Sequence, residues 1–252
     1  MLETMWKLFN KAIPDYDGKI CIPLSGGLDS RVIAGIIAQR RKIDLSYCQW
    51  FTGRPRQTTL TDLGYAFQIS KLCQVKGFEP VKVDNPIQED LDAVKGIPLE
   101  KNLLKSRMYT GLRILNERVD LSEYTIICGH GVDSFTGVHV NPEHLFNYKK
   151  YDDDMERKMK VMFESIFPAT YGKFAKWDCP LWDRDLIDFC VGLPFKYRFH
   201  QYLYRQMIQK YLPELAQIKR SGIHVPMTIG ETHYFAVRVK HWVMKQTLRS
   251  KQ

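Results

Sequence analysis

The sequence predicts an α/β protein, with a parallel-sheet core over residues 1–140 and a mainly helical part over residues 141–252 that completes one domain. Three observations predict it. An apolar run at residues 20–24 is cut by Ser25-Gly26-Gly27 and resumes, after Leu28-Asp29-Ser30-Arg31, with helical spacing at Val32, Ile33, Ile36 and Ile37, the pattern of strand, glycine turn and helix. Strand-like and helix-like segments then alternate, which implies parallel strands joined by right-handed crossovers. From about Pro142 onward the composition turns to helix formers without strand runs.

Taken in order, Met5, Leu8, Phe9 and Ala12 share one face of a first helix over residues 5–13, which Pro14 and Asp17-Gly18 end. Residues 45–51 read as a second strand, residues 62–76 as a helix with Leu63, Ala66, Phe67, Ile69 and Leu72 apolar, and residues 80–83 as a third strand. A longer helix is expected over residues 99–119. Residues 125–128 form a fourth strand that runs into a second glycine turn, Gly129-His130-Gly131-Val132-Asp133-Ser134. Further helices are predicted over residues 177–193, 199–211 and 233–248, and Asp152-Asp153-Asp154 is read as a solvated charge run at the front of a helix.

The chemistry is concentrated in the two turns. Gly26 and Gly27 allow main-chain N–H groups to approach an anion without an intervening side chain, and the N-terminus of the next helix points its own N–H groups the same way. Ser25 and Ser30 can add hydroxyl donors, and Asp29 can hold the Mg²⁺ that accompanies a polyphosphate. In a parallel sheet the second turn lies on the same edge, which brings Asp133 near Asp29 as a second carboxylate for the same ion. Neither GxxxxGK[ST] nor GxGxxG occurs, so the loop is expected to cradle a leaving pyrophosphate.

Composition narrows the classes. Of 252 residues, 44% are hydrophobic and 26% charged, as in a soluble globular protein. No apolar run approaches the roughly 20 residues that span a bilayer, and Met1-Leu2-Glu3-Thr4 does not open a signal peptide; a cytoplasmic protein with no membrane partner is expected. The six cysteines form no CxxC pair, which argues for buried thiols and against a zinc or iron–sulfur site. A net charge of +9 admits a nucleic-acid partner without favouring one, because the positive residues are dispersed.

Ser-Gly-Gly-x-Asp-Ser resembles the signature of the PP-loop ATP pyrophosphatases, whose Rossmann-like core resembles that of the adenine nucleotide alpha hydrolases. More narrowly, four pieces in order resemble the synthetase domain of the asparagine synthetase family. They are residues 25–30, residues 129–133, Cys179-Pro180-Leu181-Trp182-Asp183 with the helix to Leu193-Pro194, and Leu212-Pro213 leading to Lys219-Arg220-Ser221-Gly222-Ile223. The resemblance implies ATP and Mg²⁺ as cofactors and an AMP- and pyrophosphate-forming amide or amidine synthesis, in which ammonia attacks an acyl-adenylate made from a small carboxylate. It further implies that Ser25, Gly26, Gly27 and Ser30 bind pyrophosphate, that Asp29 and Asp133 hold Mg²⁺, that Leu24, Phe51 and Gly53 line the adenosine pocket, and that Gly129 approaches the α-phosphate.

The chain also departs from that family. His130 and Ser134 stand where asparagine-forming relatives carry acidic residues, so the acceptor need not be aspartate. Arg220, with Lys219 beside it, stands where a phosphate-binding lysine is expected. Leu2 follows Met1, where glutamine-dependent members carry a catalytic cysteine; ammonia is therefore expected from solution or from a separate glutaminase chain. His130, Arg220 and Lys219 are the catalytic candidates, with His130 either taking a proton from an attacking amine or stabilising the transferring group. Two other functions compete: a tRNA-modifying PP-loop enzyme, and a nucleotide-binding interaction subunit without activity.

Overall fold

The computed structural model describes residues 1–51, 60–96, 102–130, 135–137, 148–220, 224–230, 234, 236–237 and 240. Five strands form one parallel sheet: β1 (Lys19–Pro23), β2 (Leu45–Phe51), β3 (Gly77–Val83), β4 (Tyr124–Ile127) and β5 (Lys176–Asp178), in the spatial order β3-β2-β1-β4-β5. α1 (Leu2–Ala12) precedes β1, and between the strands run α2 (Asp29–Ala38), α3 (Leu60–Leu72), α4 (Gln88–Ala93), α5 (Asn102–Asn116), α6 (Tyr148–Val161) and α7 (Phe167–Phe174). After β5 come α8 (Arg184–Val191), α9 (Phe195–Arg198), α10 (Tyr202–Tyr211) and α11 (Pro213–Gln217).

Alternation along each strand divides the core in two. Ile20 and Ile22 of β1, Cys48 of β2 and Ile127 of β4 join α1, α2, α10 and α11 on one face. Cys21, Leu45, Tyr47 and Ile126 point to the other, which α5 and α7 cover through Leu112, Leu115, Phe167 and Tyr171. Helices on both faces are what an all-parallel sheet requires, because each strand must bury both its sides. The chain leaves β1 toward β2 and β3 and returns to the opposite side of β1 for β4. The order therefore reverses between β1 and β4, which opens a crevice at their carboxyl ends.

Two predicted elements are corrected. Residues 176–178 pair with β4 as a fifth strand, Ile126 opposite Trp177, where a helix over residues 177–193 was expected. Three residues are too few to show a strand period, and Pro180, which lacks an N–H and disfavours helix before it, ends any helical continuation. The helix begins later, at Arg184, with the Asp183 carboxylate accepting from the Leu186 N–H at 2.9 Å. The helix expected over residues 199–211 starts only at Tyr202, because His200 and Gln201 both adopt positive φ, +51° and +57°. Asp152-Asp153-Asp154 lies inside α6 and not at its first turn, and most of residues 233–248 fall outside the described residues.

One side chain joins the first turn to the C-terminal helices. Arg31 in α2 is fully buried. Its guanidinium donates to the carbonyls of Leu215 (2.9 Å), Ile218 (2.8 Å), Lys219 (2.9 Å) and Gly26 (2.9 Å). Three of these acceptors lie at or just past the end of α11, where the helix dipole favours a cation. Burial, aided by the nearby positive Arg220, pulls Arg31 down to about 10, so it remains charged at neutral pH. Arg31→Met leaves four carbonyls without their donor and is expected to cost about 3 kcal/mol or more in urea denaturation. A loss below about 0.5 kcal/mol would show that the contact is dispensable.

Candidate active site

The crevice between β1 and β4 opens into a cavity of ≈ 430 Å³, a size suited to a small-molecule ligand. The turn after β1 forms one wall through Leu24, Ser25, Gly27, Asp29 and Ser30, and the turn after β4 forms another through Gly129 and His130. Phe51 from the end of β2 and Arg220 from beyond α11 close the sides. Nine of the residues singled out from the sequence thus meet in one place.

The turn after β1 is organised by its own polar atoms. The Ser25 N–H donates to Ser30 Oγ and the Gly27 N–H to Ser25 Oγ, both at 3.4 Å. Gly26 adopts φ +67°, and a Cβ there would lie 3.1 Å from the Tyr65 Cβ and 3.3 Å from the Asp62 carbonyl oxygen. Glycine is needed on both counts. Gly26 itself faces α3 and not the cavity, and its carbonyl is held by Arg31. No side chain caps the start of α2.

The two turns touch. A Cβ on Gly129 would come within 2.8 Å of the Ser30 nitrogen and 2.9 Å of the Asp29 carbonyl carbon, closer than real Cβ contacts allow. The absence of a side chain at Gly129 therefore lets the β4 turn lie directly on the N-terminus of α2. Asp29 is half-buried, and its Oδ1 accepts from the Tyr204 hydroxyl at 3.1 Å. A carboxylate there, at the start of α2, suits Mg²⁺ in company with phosphate oxygens, since Mg²⁺ commonly takes only one or two protein carboxylates. Asp133 and Gly53 lie outside the described residues. Among the described residues no group of three or more His, Cys, Asp or Glu side chains forms a metal cluster.

Arg220 lines the cavity, with its carbonyl accepting from the His224 N–H at 2.8 Å and its N–H donating to the Val225 carbonyl at 3.0 Å. Its Nη1 donates to the Tyr234 hydroxyl at 2.9 Å, and the buried Arg205 guanidinium stacks on the Tyr234 ring at 3.7 Å. Lys219 is exposed and contributes its carbonyl to Arg31; its side chain is not among those lining the cavity.

Tyr47, Gln49, Met108, Met162 and Tyr171 also line the cavity, and none was singled out from the sequence. Tyr47 and Gln49 are two apart in β2 and so share one face of it, and periodicity marks them only as strand residues. Tyr171 and Met162 come from a helical stretch whose position over the sheet depends on β5. Arg31, Tyr204 and Tyr234 support the site from behind; the one available signal was an arginine placed next to the apolar run of α2.

No family model and no curated protein matches the chain. Among solved structures it is similar to U34-tRNA thiolase NcsA from Methanococcus maripaludis with its [4Fe-4S] cluster, at TM-score 0.41 and 14% identity over 91% of this chain and 85% of that one. It is also similar to NMN synthetase from Francisella tularensis, at TM-score 0.35 and 12% identity over 83% of this chain and 93% of that one.

Gly129→Ala is expected to destabilise the fold by about 1–3 kcal/mol and to weaken ligand binding in the crevice, because the methyl meets backbone that cannot rotate away. Chemical denaturation checks the first effect. Unchanged stability would mean that the two turns do not pack as described.

Proposed function

We propose that the chain is a PP-loop ATP pyrophosphatase that cleaves ATP between its α and β phosphates and transfers AMP to a carboxylate acceptor, with ammonia then displacing AMP to form an amide. The observation that carries this reading is the contact of Gly129 with Asp29 and Ser30, because it makes one cradle of two glycine turns at the point where the strand order reverses. Asp29 on one side and Arg220 on another face that cradle.

In this reading the N–H groups of residues 26–30 and the Ser25 and Ser30 hydroxyls hold the β- and γ-phosphates, with Arg220 adding a charge-assisted contact. Mg²⁺ held by Asp29 would neutralise charge on the leaving pyrophosphate. Leu24 and Phe51 offer an apolar surface for the adenosine, and His130 lies on the β4 side, where the acceptor would approach the α-phosphate. Buried Arg31 fixes Gly26 and the Lys219 backbone together, so the donors are set before the substrate binds. Fixed donors of that kind supply much of the rate in such transfers.

Pyrophosphate release from ATP, measured with a panel of carboxylates plus ammonium, tests the proposal. A parallel arm with tRNA separates this reading from a tRNA-modifying one, which a net charge of +9 admits without favouring. Asp29→Asn is expected to lower Mg²⁺-dependent release roughly 10²-fold or more with the circular dichroism spectrum unchanged. Release by the variant at the wild-type rate would refute the assignment of the turn.

A further inference from the structure

The function proposed above takes Phe51 as a surface for the base and leaves its neighbour on the strand without a role. Gln49 lies two residues before Phe51 in β2, on the same face, and lines the cavity beside it. A free glutamine side chain has several rotamers, and its amide can present either end to a ligand. Here α5 removes both freedoms. Gly111 of α5 has no side chain, and its place is taken by Gln49: a Cβ on Gly111 would fall 2.9 Å from Gln49 Cγ, 2.4 Å from Cδ and 2.3 Å from Nε2. One turn earlier in the same helix, the Met108 carbonyl accepts from Gln49 Nε2 at 3.4 Å.

That bond is long, and its weight lies in orientation rather than in strength. Turning the amide over would set Oε1 against the Met108 carbonyl oxygen, two acceptors with no proton between them. Nε2 is therefore the end held at α5, and Oε1 is the acceptor the amide can offer a ligand. The same helix steadies Phe51, since the buried Arg107 guanidinium lies 5.3 Å from the centre of its ring. Strand β2 thus presents an apolar ring and, farther from its carboxyl end, an amide of fixed direction.

We propose that Gln49 is the residue that selects adenine, with Oε1 accepting from the exocyclic amino group of a base packed on Phe51, and that the missing side chain at Gly111 is what allows it. This rests on the ATP-binding function proposed above. Adenine carries a donating amino group at C6, whereas guanine and hypoxanthine carry an accepting carbonyl oxygen there. Opposite Oε1 that carbonyl is a second acceptor. Turning the amide to suit it only moves the repulsion to Met108. A purine with hydrogen at C6 loses the bond without meeting the repulsion. Selection therefore has two parts, attraction for the amino group and rejection of the carbonyl.

Calorimetric binding of ATP, inosine triphosphate and purine-riboside triphosphate to the full chain, each with Mg²⁺, tests it. The wild type is expected to bind ATP about 10-fold or more tighter than inosine triphosphate, with purine-riboside triphosphate between them. Gln49→Met keeps the length of the side chain and removes both ends of the amide, so the ratio of the two affinities is expected to fall to within about 3-fold, chiefly through weaker ATP binding. Gly111→Ala puts a methyl group where the amide lies. The glutamine can move aside, and alanine suits a helix better than glycine, so the denaturation midpoint is expected to hold while the ratio falls as in Gln49→Met. Should Gly111→Ala not fold, Gln49→Met decides. A wild type without preference for ATP, or a preference kept in Gln49→Met, would overturn the selection by Gln49, and a folded Gly111→Ala with the wild-type ratio would overturn the part given to Gly111. Pyrophosphate release from ATP by a wild type indifferent to the base would sink this inference and leave the ATP reading standing, whereas failure of all three nucleotides to bind would defeat both.

Discussion

The rest of the structure depends on where the Arg31 charge is placed. A guanidinium removed from water is costly unless its donors find acceptors, and here four main-chain carbonyls from two distant parts of the chain accept from Nη1 and Nη2, while Nε stays buried without a partner. A surface ion pair would tolerate small displacements of its partners. A buried fork does not, because each shift of Gly26 or of residues 215–219 would strand a donor. The same contact therefore fixes the phosphate-sized turn after β1 and brings the segment ending in Arg220 to its mouth. Because the Arg31 Nη1 and Nη2 groups bond neutral carbonyls, its charge is left uncancelled, and Arg31 and Arg220 together give this end of the cavity a positive field, available to a polyphosphate.

The second constraint is steric. Gly129 has backbone within 3 Å of where its Cβ would be, so the chain just after β4 lies directly against the turn after β1. Parallel strands with a reversal between β1 and β4 create a crevice in any such sheet. Only the missing side chain at Gly129 narrows it to the point where donors from one turn and an imidazole from the other face a single ligand. The cavity then has two characters: N–H groups, hydroxyls, Asp29 and Arg220 at the β1 side, and phenols, thioethers and imidazole toward α5 and α7. The first suits polyanions, and the second offers a weakly polar surface beside it.

Local pattern was enough to read β1, its glycine turn and α2, because the change from period 2 to period 3.6 falls within one short stretch. It was enough for β2 and β4 as well, and hence for the shared edge on which Ser25, Asp29, Gly129 and His130 meet. What could not be read was set by tertiary contact. The β5 strand is three residues long and exists because β4 offers it an open edge; the left-handed conformations of His200 and Gln201 are imposed where the chain turns into α10. Tyr47 and Tyr171 are separated by 124 positions in sequence, and only the placement of α7 over the sheet brings both into the cavity lining and the Tyr171 hydroxyl to His130 Nε2. Between Lys219 and Arg220 the sequence left the phosphate-binding role open, and packing separates them: one side chain is exposed while the other lines the cavity.

The most direct test of the central claim is a crystal structure with Mg²⁺ and an ATP analogue that carries a methylene group in place of the α,β-bridging oxygen. The account predicts the β- and γ-phosphates on the N–H groups of residues 26–30, the metal on Asp29, Arg220 turned onto the phosphates, and the α-phosphate between Gly129 and His130. Analogue bound elsewhere on the molecule, or a crevice left empty at saturating analogue, would contradict it.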